Sequence, residues 1–308
     1  MSVTDGAETF RCSDTARDRG DDLTATAAPA RRQLLVEVPG PWGRTALTES
    51  RLDHYVAGRL AEAAGHAGVR VLLVRRPGRA SSDGEAPRAW ALVDTRPGRE
   101  AVTWGTWDDP HALMDVDLRG PVAPSGPQRV ALVCTHARHD VCCALRGRPV
   151  AAALAAGTDW DVWECSHLGG DRFAANVLLL PSGELFGRLG PEAAVDVVRG
   201  FDAGRLAVPL WRGRYGRSPV EQAALAHAAT ALDDDRRDAI EVVDVEERPG
   251  EQWAVEVAHV DVTGTEQRYR LHLSASTSHP HLLTCSAVAP SRMRVFDLDG
   301  PPEPLGRR

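Results

Sequence analysis

Val133-Cys134-Thr135-His136-Ala137-Arg138-His139-Asp140-Val141-Cys142-Cys143, answered by Glu164-Cys165-Ser166-His167-Leu168-Gly169-Gly170-Asp171, holds four of the six cysteines and three of the eleven histidines of the chain. Each stretch follows an apolar, β-branched run, Arg129 to Val133 and Asp161 to Cys165, of the kind that forms a buried strand. Soft metal ligands gathered at the carboxyl ends of two strands mark a site rather than a core.

Working outward, Pro149 fits the first turn of a helix running to Ala156, with Gly157 as its stop, and an earlier start around Cys142 is left open. Residues 176–180 and 184–188 read as a hairpin about Pro181-Ser182-Gly183, and residues 191–199 as a helix. The second half is thus strand–helix–strand–short helix–strand–strand–helix, a thioredoxin-like order. Upstream, residues 33–38 and 69–74 read as strands around a helix that opens near Ser50 and Asp53 and ends at Gly65. A loop over 77–87 and a hairpin, 90–94 with 101–104, complete a shortened version of the same order. Residues 108–127, rich in Gly, Pro and Ser, read as a linker. Downstream, Trp211 to Arg217 forms a basic loop, exposed or docking an acidic partner. Ser218 and Glu221 make a capping box for a helix to about Leu232, and alternating apolar residues beyond predict an antiparallel sheet.

The fold class expected is α/β: a thioredoxin-like domain over 128–217, preceded by a shortened α/β half over 32–110 and followed by a small helix-plus-sheet α+β unit over 218–308. Residues 1–31, polar and acidic, read as a disordered tail without the apolar core of a secretory signal, so a cytoplasmic location is expected. No apolar run approaches the roughly 20 residues of a membrane helix. The net charge of −7 argues against nucleic acid as a partner. All 36 basic residues are Arg, which excludes lysine Schiff-base chemistry. Six cysteines in such a chain favour metal or redox use over a disulfide framework.

Cys134 and Cys143 have eight residues between them, and His167-Leu168-Gly169-Gly170-Asp171-Arg172-Phe173-Ala174 follows. This Cys-x8-Cys, His-x-Gly-Gly-x-x-Phe-Ala pattern resembles the sucrase/ferredoxin-like family, a thioredoxin-like ferredoxin branch. Pro39-Gly40-Pro41-Trp42-Gly43 and Arg212-Gly213-Arg214 add to the resemblance. It implies a [2Fe–2S] cluster on two cysteines and two histidines, an electron-transfer or redox-sensing role rather than an enzyme's, and a redox partner protein that the sequence does not identify. The chain departs from the pattern where the second histidine is expected, four residues after the first, and carries Asp171. The cluster-binding, metal-ligating set read from the resemblance is therefore Cys134, Cys143, His167 and Asp171. Cys165 is the alternative fourth ligand and Cys142 a spare for Cys143; a chain without a cluster is the third outcome. The glycine pair lets the backbone approach a bulky ligand and donate N–H groups to it.

Two other functions remain open. A thiol–disulfide oxidoreductase would need a Cys-x-x-Cys or similar pair, and the chain has only the vicinal Cys142-Cys143. A structural zinc protein could use Cys134, Cys143, Cys165 and His167. Hydrolase motifs such as Gly-x-Ser-x-Gly and His-Glu-x-x-His are absent from the sequence. His136 and His139 read as solvated loop residues, proton carriers or ligands. Cys12 reads as incidental and Cys285 as a buried strand hydrophobe.

Overall fold

The computed structural model describes residues 10–78 and 87–307. Along the chain run α1 (Cys12–Asp18), β1 (Arg32–Glu37), α2 (His54–Ala67), β2 (Arg70–Arg75), β3 (Arg88–Asp94) and β4 (Ala101–Trp107). Then come β5 (Val130–Cys134), α3 (Val141–Gly157), β6 (Asp161–Cys165), β7 (Val177–Leu180), β8 (Glu184–Phe186), α4 (Pro191–Asp202) and β9 (Trp211–Arg214). The last part holds α5 (Pro219–Ala231), β10 (Ile240–Arg248), β11 (Gln252–Val260), β12 (Glu266–Thr277), β13 (Arg294–Leu298) and β14 (Glu303–Arg307). The protein is mixed α/β.

Nine strands form one sheet in the order β4-β3-β1-β2-β6-β5-β7-β8-β9. β1 pairs parallel with β2 and antiparallel with β3, which pairs antiparallel with β4. β5 pairs parallel with β6 and antiparallel with β7, which pairs antiparallel with β8. The two halves therefore share one topology, and β2 joins β6 antiparallel to make the sheet continuous. The sheet curls. Trp104 of β4 stacks on Trp163 of β6 with ring centroids 5.8 Å apart, and Arg214 of β9 pairs with Glu100 beside β4 at 2.5 Å.

The period of two along each strand sorts its side chains between two cores. Val130, Leu132 and Cys134 of β5, with Trp163 and Cys165 of β6, point into the curl. Ala131, Val133 and Val162 point outward to α3 and α4. A third cluster lies under α2. The second sheet, β10-β11-β12-β13 with β14 also on β12, packs Val255, Val257, Leu271 and Leu273 against Ala223, Ala224 and Ala228 of α5. Each large aliphatic side chain so buried is worth about 1.5–3 kcal/mol. The capping box expected at α5 is present, with Ser218 accepting from the Glu221 N–H. Among the described residues, no helix is long and apolar enough to cross a membrane.

Several expectations are corrected. The tail over 1–31 is ordered from residue 10: α1 buries Cys12 and Ala16, and the N–H groups of Thr26 and Ala27 donate to Arg212 O. α3 starts at Val141, because the Asp140 carboxylate accepts the Cys142 N–H at 2.8 Å, and Pro149 lies inside the helix. α2 is capped by Asp53 rather than Ser50 and runs on to a left-handed Gly68. The linker over 108–127 contains a 3-10 turn, Pro110–Asp115, that buries Leu113. Of the loop expected over 77–87, residues 79–86 lie outside the described residues. The basic loop is strand β9: Arg212 is buried, and Arg214 and Arg217 are paired with Glu100 and Glu221. Cys285 lies in the connection between β12 and β13, not in a strand.

One buried acid sets a pH dependence. Burial raises the Glu184 carboxyl to about 7, although Arg214 and the Trp211 indole N–H at 2.6 Å favour its anion. The unfolded chain loses this proton near pH 4.5 and the folded chain near 7, so stability from this group is full below about 4.5 and is lost as pH rises through about 7. Urea denaturation of wild type and Glu184→Gln at about pH 5 and about pH 8 should differ in pH slope, wild type losing on the order of 3 kcal/mol more. Parallel profiles would contradict this.

Candidate metal centre

β5 and β6 end level with each other: Cys134 is the register partner of Cys165, and the Thr135 N–H donates to Cys165 O at 3.1 Å. The chain then turns into α3, capped by Asp140. Successive helix residues diverge by about 100°, so the adjacent Cys142 and Cys143 leave α3 in different directions. Cys143 joins Cys134 inside the curl, whereas Cys142 faces Cys12 and Cys285. Gly147 makes the close approach of α3 possible, since a Cβ there would lie 2.1 Å from Cys134 O.

The donors form two overlapping triads. Cys134, Cys143 and His167 have ligand atoms within 4.8 Å of one another, and so do His139, His167 and Asp171. His167 is common to both. Cys143 Sγ lies 3.1 Å from Asp171 Oδ1, and His167 Nδ1 lies 2.9 Å from the same oxygen. That nitrogen is buried, and among the described residues no aligned hydrogen bond satisfies it. His139 stacks on His167 with centroids 3.8 Å apart, and its Nε2 stands 3.8 Å from Asp171 Oδ2.

The neighbouring groups shift one another's proton affinities. The neighbouring Cys143 thiol holds the Cys134 thiol well below its usual range, against burial and with help from His167. Its closeness to Cys134, with burial and the Asp171 carboxylate, pushes Cys143 well above the usual range. Burial disfavours the His167 imidazolium, but Asp171 and Cys134 outweigh it and raise the group to about 9. Asp171 is lowered despite its burial, because His167 stabilises the carboxylate. The two cysteines thus face the His167–Asp171 pair. Thiolate is a soft donor, imidazole borderline and carboxylate hard, a mixed set that could hold iron, zinc or an iron–sulfur cluster.

The loop carrying His167 is clamped from inside the curl. Arg70 Nη2 donates to His167 O at 2.7 Å, Tyr215 Oη to Leu168 O at 3.0 Å, Arg212 Nη1 to Gly169 O at 2.8 Å, and Asn176 Nδ2 to Gly170 O at 3.0 Å. Arg212 is 1% exposed. It also donates to Asn176 Oδ1 at 2.8 Å, Thr26 O at 2.7 Å and Thr26 Oγ1 at 3.0 Å. Burial lowers it to about 10, so it stays charged at neutral pH. Gly169 and Gly170 adopt φ of 95° and 71°, and a Cβ on Gly170 would meet Arg212 Nη2 at 2.3 Å. The crowding partner of Gly170 is thus the arginine.

Of the residues singled out in the sequence, Cys134, Cys143, His167 and Asp171 come together. Cys165 is buried in the same apolar cluster, yet among the described residues it belongs to no donor triad. Cys142 is no spare for Cys143, since it faces elsewhere. His136 is buried, with Nε2 on Gly43 O at 2.6 Å, rather than solvated. His139, read from the sequence as a solvated residue, proton carrier or ligand, stands in the second donor triad. Arg212, read as part of a surface loop, carries the clamp.

The fold is thus an α/β sheet with a buried thiol–imidazole–carboxylate group at two strand ends, a donor set that could hold a metal. A profile of the sucrase/ferredoxin-like family matches residues 23–213, more than half of the chain, and the protein belongs to that family. No curated protein and no solved structure matches it.

Removing the Arg212 guanidinium leaves Gly169 O, Asn176 Oδ1 and Thr26 O without this donor in a dry interior. Arg212→Met should destabilise the fold by about 1–3 kcal/mol in denaturant unfolding. A loss under about 1 kcal/mol would show that the clamp carries little.

Proposed function

We propose that the centre holds a [2Fe–2S] cluster on Cys134, Cys143, His167 and Asp171, and that the protein is an electron carrier or a redox sensor built on one, serving a partner protein. The observation that carries this reading is the division of the donors into two triads that share His167. A single ion gathers its ligands into one group; a two-iron cluster spreads them over two. The sulfur donors are at most 1% exposed, whereas the side chains of His167 and His139 are 23% and 33% exposed. Thiolates therefore hold the inner side, and imidazoles reach the surface where a partner would dock. The strand order and pairing of β5, β6, β7 and β8 support the thioredoxin-like reading.

When bound, such a cluster supplies reversible one-electron transfer. The chain's own residues do the rest. Cys134, Cys143 and His167 bind only after shedding the protons they carry. The inward carbonyls of residues 167–170 turn the opposite edges of their planar peptides, which carry N–H groups, away from Arg70, Tyr215 and Arg212. Thiol–disulfide exchange with a protein substrate is disfavoured by burial of both sulfurs. The zinc set that includes Cys165 is disfavoured by its absence from the triads.

Anaerobic purification should yield about two irons and two sulfides per chain and an electron paramagnetic resonance signal on reduction, both lost in Cys143→Ser. A colourless, iron-free wild type would overturn the reading. Asp171 adds a negative charge relative to histidine, so Asp171→His should raise the reduction potential while His139→Ala leaves iron content unchanged. An unchanged potential in Asp171→His, or iron lost from His139→Ala, would move the fourth ligand from Asp171 to His139.

A further inference from the structure

Cys142 is half of a pair whose other member, Cys143, serves the first centre. It faces a different group of donors, drawn from three remote parts of the chain: Cys12 of α1, Asp140 and Cys142 at the start of α3, and Cys285 of the connection between β12 and β13. The ligand atoms of all four lie within 4.8 Å of one another. Cys142 Sγ is 3.4 Å from Cys285 Sγ, Cys285 Sγ is 3.5 Å from Cys12 Sγ, and Cys12 Sγ is 3.5 Å from Asp140 Oδ2.

These spacings have a chemical meaning. A tetrahedral ion with bonds of about 2.3 Å to sulfur sets its sulfurs about 3.8 Å apart, and a carboxylate oxygen somewhat closer to each. A disulfide needs about 2.05 Å between its sulfurs. The three sulfurs sit near the edges of a tetrahedron and are bonded to none of each other. Four donors in one compact group suit one ion, in contrast to the two triads of the first centre.

We infer that Cys12, Asp140, Cys142 and Cys285 form a second, separate metal site, for a single zinc ion. All four positions are filled by protein, which leaves no place for substrate and makes the site structural. Zinc enters as the divalent aqua ion, and whatever protons the three sulfurs carry leave to solvent, with no change of oxidation state. Three thiolates and a carboxylate leave the bound ion with excess negative charge, and the fold compensates. The Cys12 N–H donates to Cys285 Sγ at 3.5 Å. The Cys142 and Cys285 N–H groups orient the two Asp140 oxygens at 2.8 and 2.7 Å. The amino end of the 17-residue helix α3 adds its positive dipole. Cys12, Cys142 and Asp140 are buried, while Cys285 is partly exposed and gives the ion its way in. The bound ion ties the amino-terminal helix and the carboxy-terminal unit to the helix that starts the first centre.

Zinc, iron and sulfide would be measured on wild type, Cys285→Ser, Cys12→Ser and Cys143→Ser, each grown with zinc and dialysed against a weak chelator. Wild type should keep about one zinc per chain. Cys285→Ser and Cys12→Ser should lose it about tenfold or more while iron and sulfide stay unchanged. Cys143→Ser should lose iron and keep zinc, which separates failure of this site from failure of the first. Should the cysteine variants not fold, cobalt loaded into wild type reads the site directly, as tetrahedral thiolate absorption. Wild type without zinc, zinc retained in both Cys285→Ser and Cys12→Ser, zinc lost only in Cys143→Ser, or octahedral cobalt would each overturn the inference.

Discussion

Four consecutive carbonyl oxygens, those of His167, Leu168, Gly169 and Gly170, end on donors from β2, from the residue after β9, from β9 itself and from the residue before β7. A buried carbonyl without a partner costs about 1–3 kcal/mol, so a loop facing a dry interior settles only where every oxygen is met. This pairing fixes the loop that carries His167 and Asp171 whether or not a metal is bound. Arg212 is its centre. Its charge is tolerated because its donors end on carbonyl, amide and hydroxyl oxygens, and Thr26 of the amino-terminal segment supplies two of them. The amino-terminal segment is therefore part of the site's support, and the curl of the sheet is what brings these donors to one place.

The first turn of α3 carries a second constraint. It directs Cys143 into the curl and Cys142 away from it, so adjacent residues serve two donor groups. Asp140 caps the helix and stands in the second group as well. A rotation of α3 that improved one group would spoil the other. Gly147 holds the helix against Cys134 at a distance that no side chain at that position would allow. The two groups differ in form, one spread as paired triads and one compact, and that difference supports the cluster proposed for the first and the single ion proposed for the second.

Much of this was legible in the sequence, for physical reasons. Strands β5 and β6 announce themselves by apolar runs. Cys134, Cys143 and His167 stand out because soft ligands at strand ends serve little purpose in a core. Local sequence does not encode which residues meet across the fold. Cys12 and Cys285 lie 273 positions apart and look incidental singly, yet their sulfurs are 3.5 Å apart. Arg212 read as surface because arginine is rarely buried, and only the curled sheet supplies the acceptors that make its burial tolerable. The segment from residue 10 looked disordered because its composition is polar; it is ordered by hydrogen bonds to β9 and by burial of Cys12 and Ala16. His139 could be read as ligand, proton carrier or solvated residue alike, because its stacking on His167 depends on the turn before α3.

The central claim is that one centre carries two kinds of ligand, buried thiolates on one side and imidazole with carboxylate on the other. Mössbauer spectroscopy of the iron-57 protein in its oxidised state tests this most directly. Two doublets of equal area, one typical of thiolate-bound iron and one shifted by nitrogen and oxygen ligation, are the expected result. A single doublet of all-thiolate iron, or no iron in the anaerobically purified protein, would contradict the account.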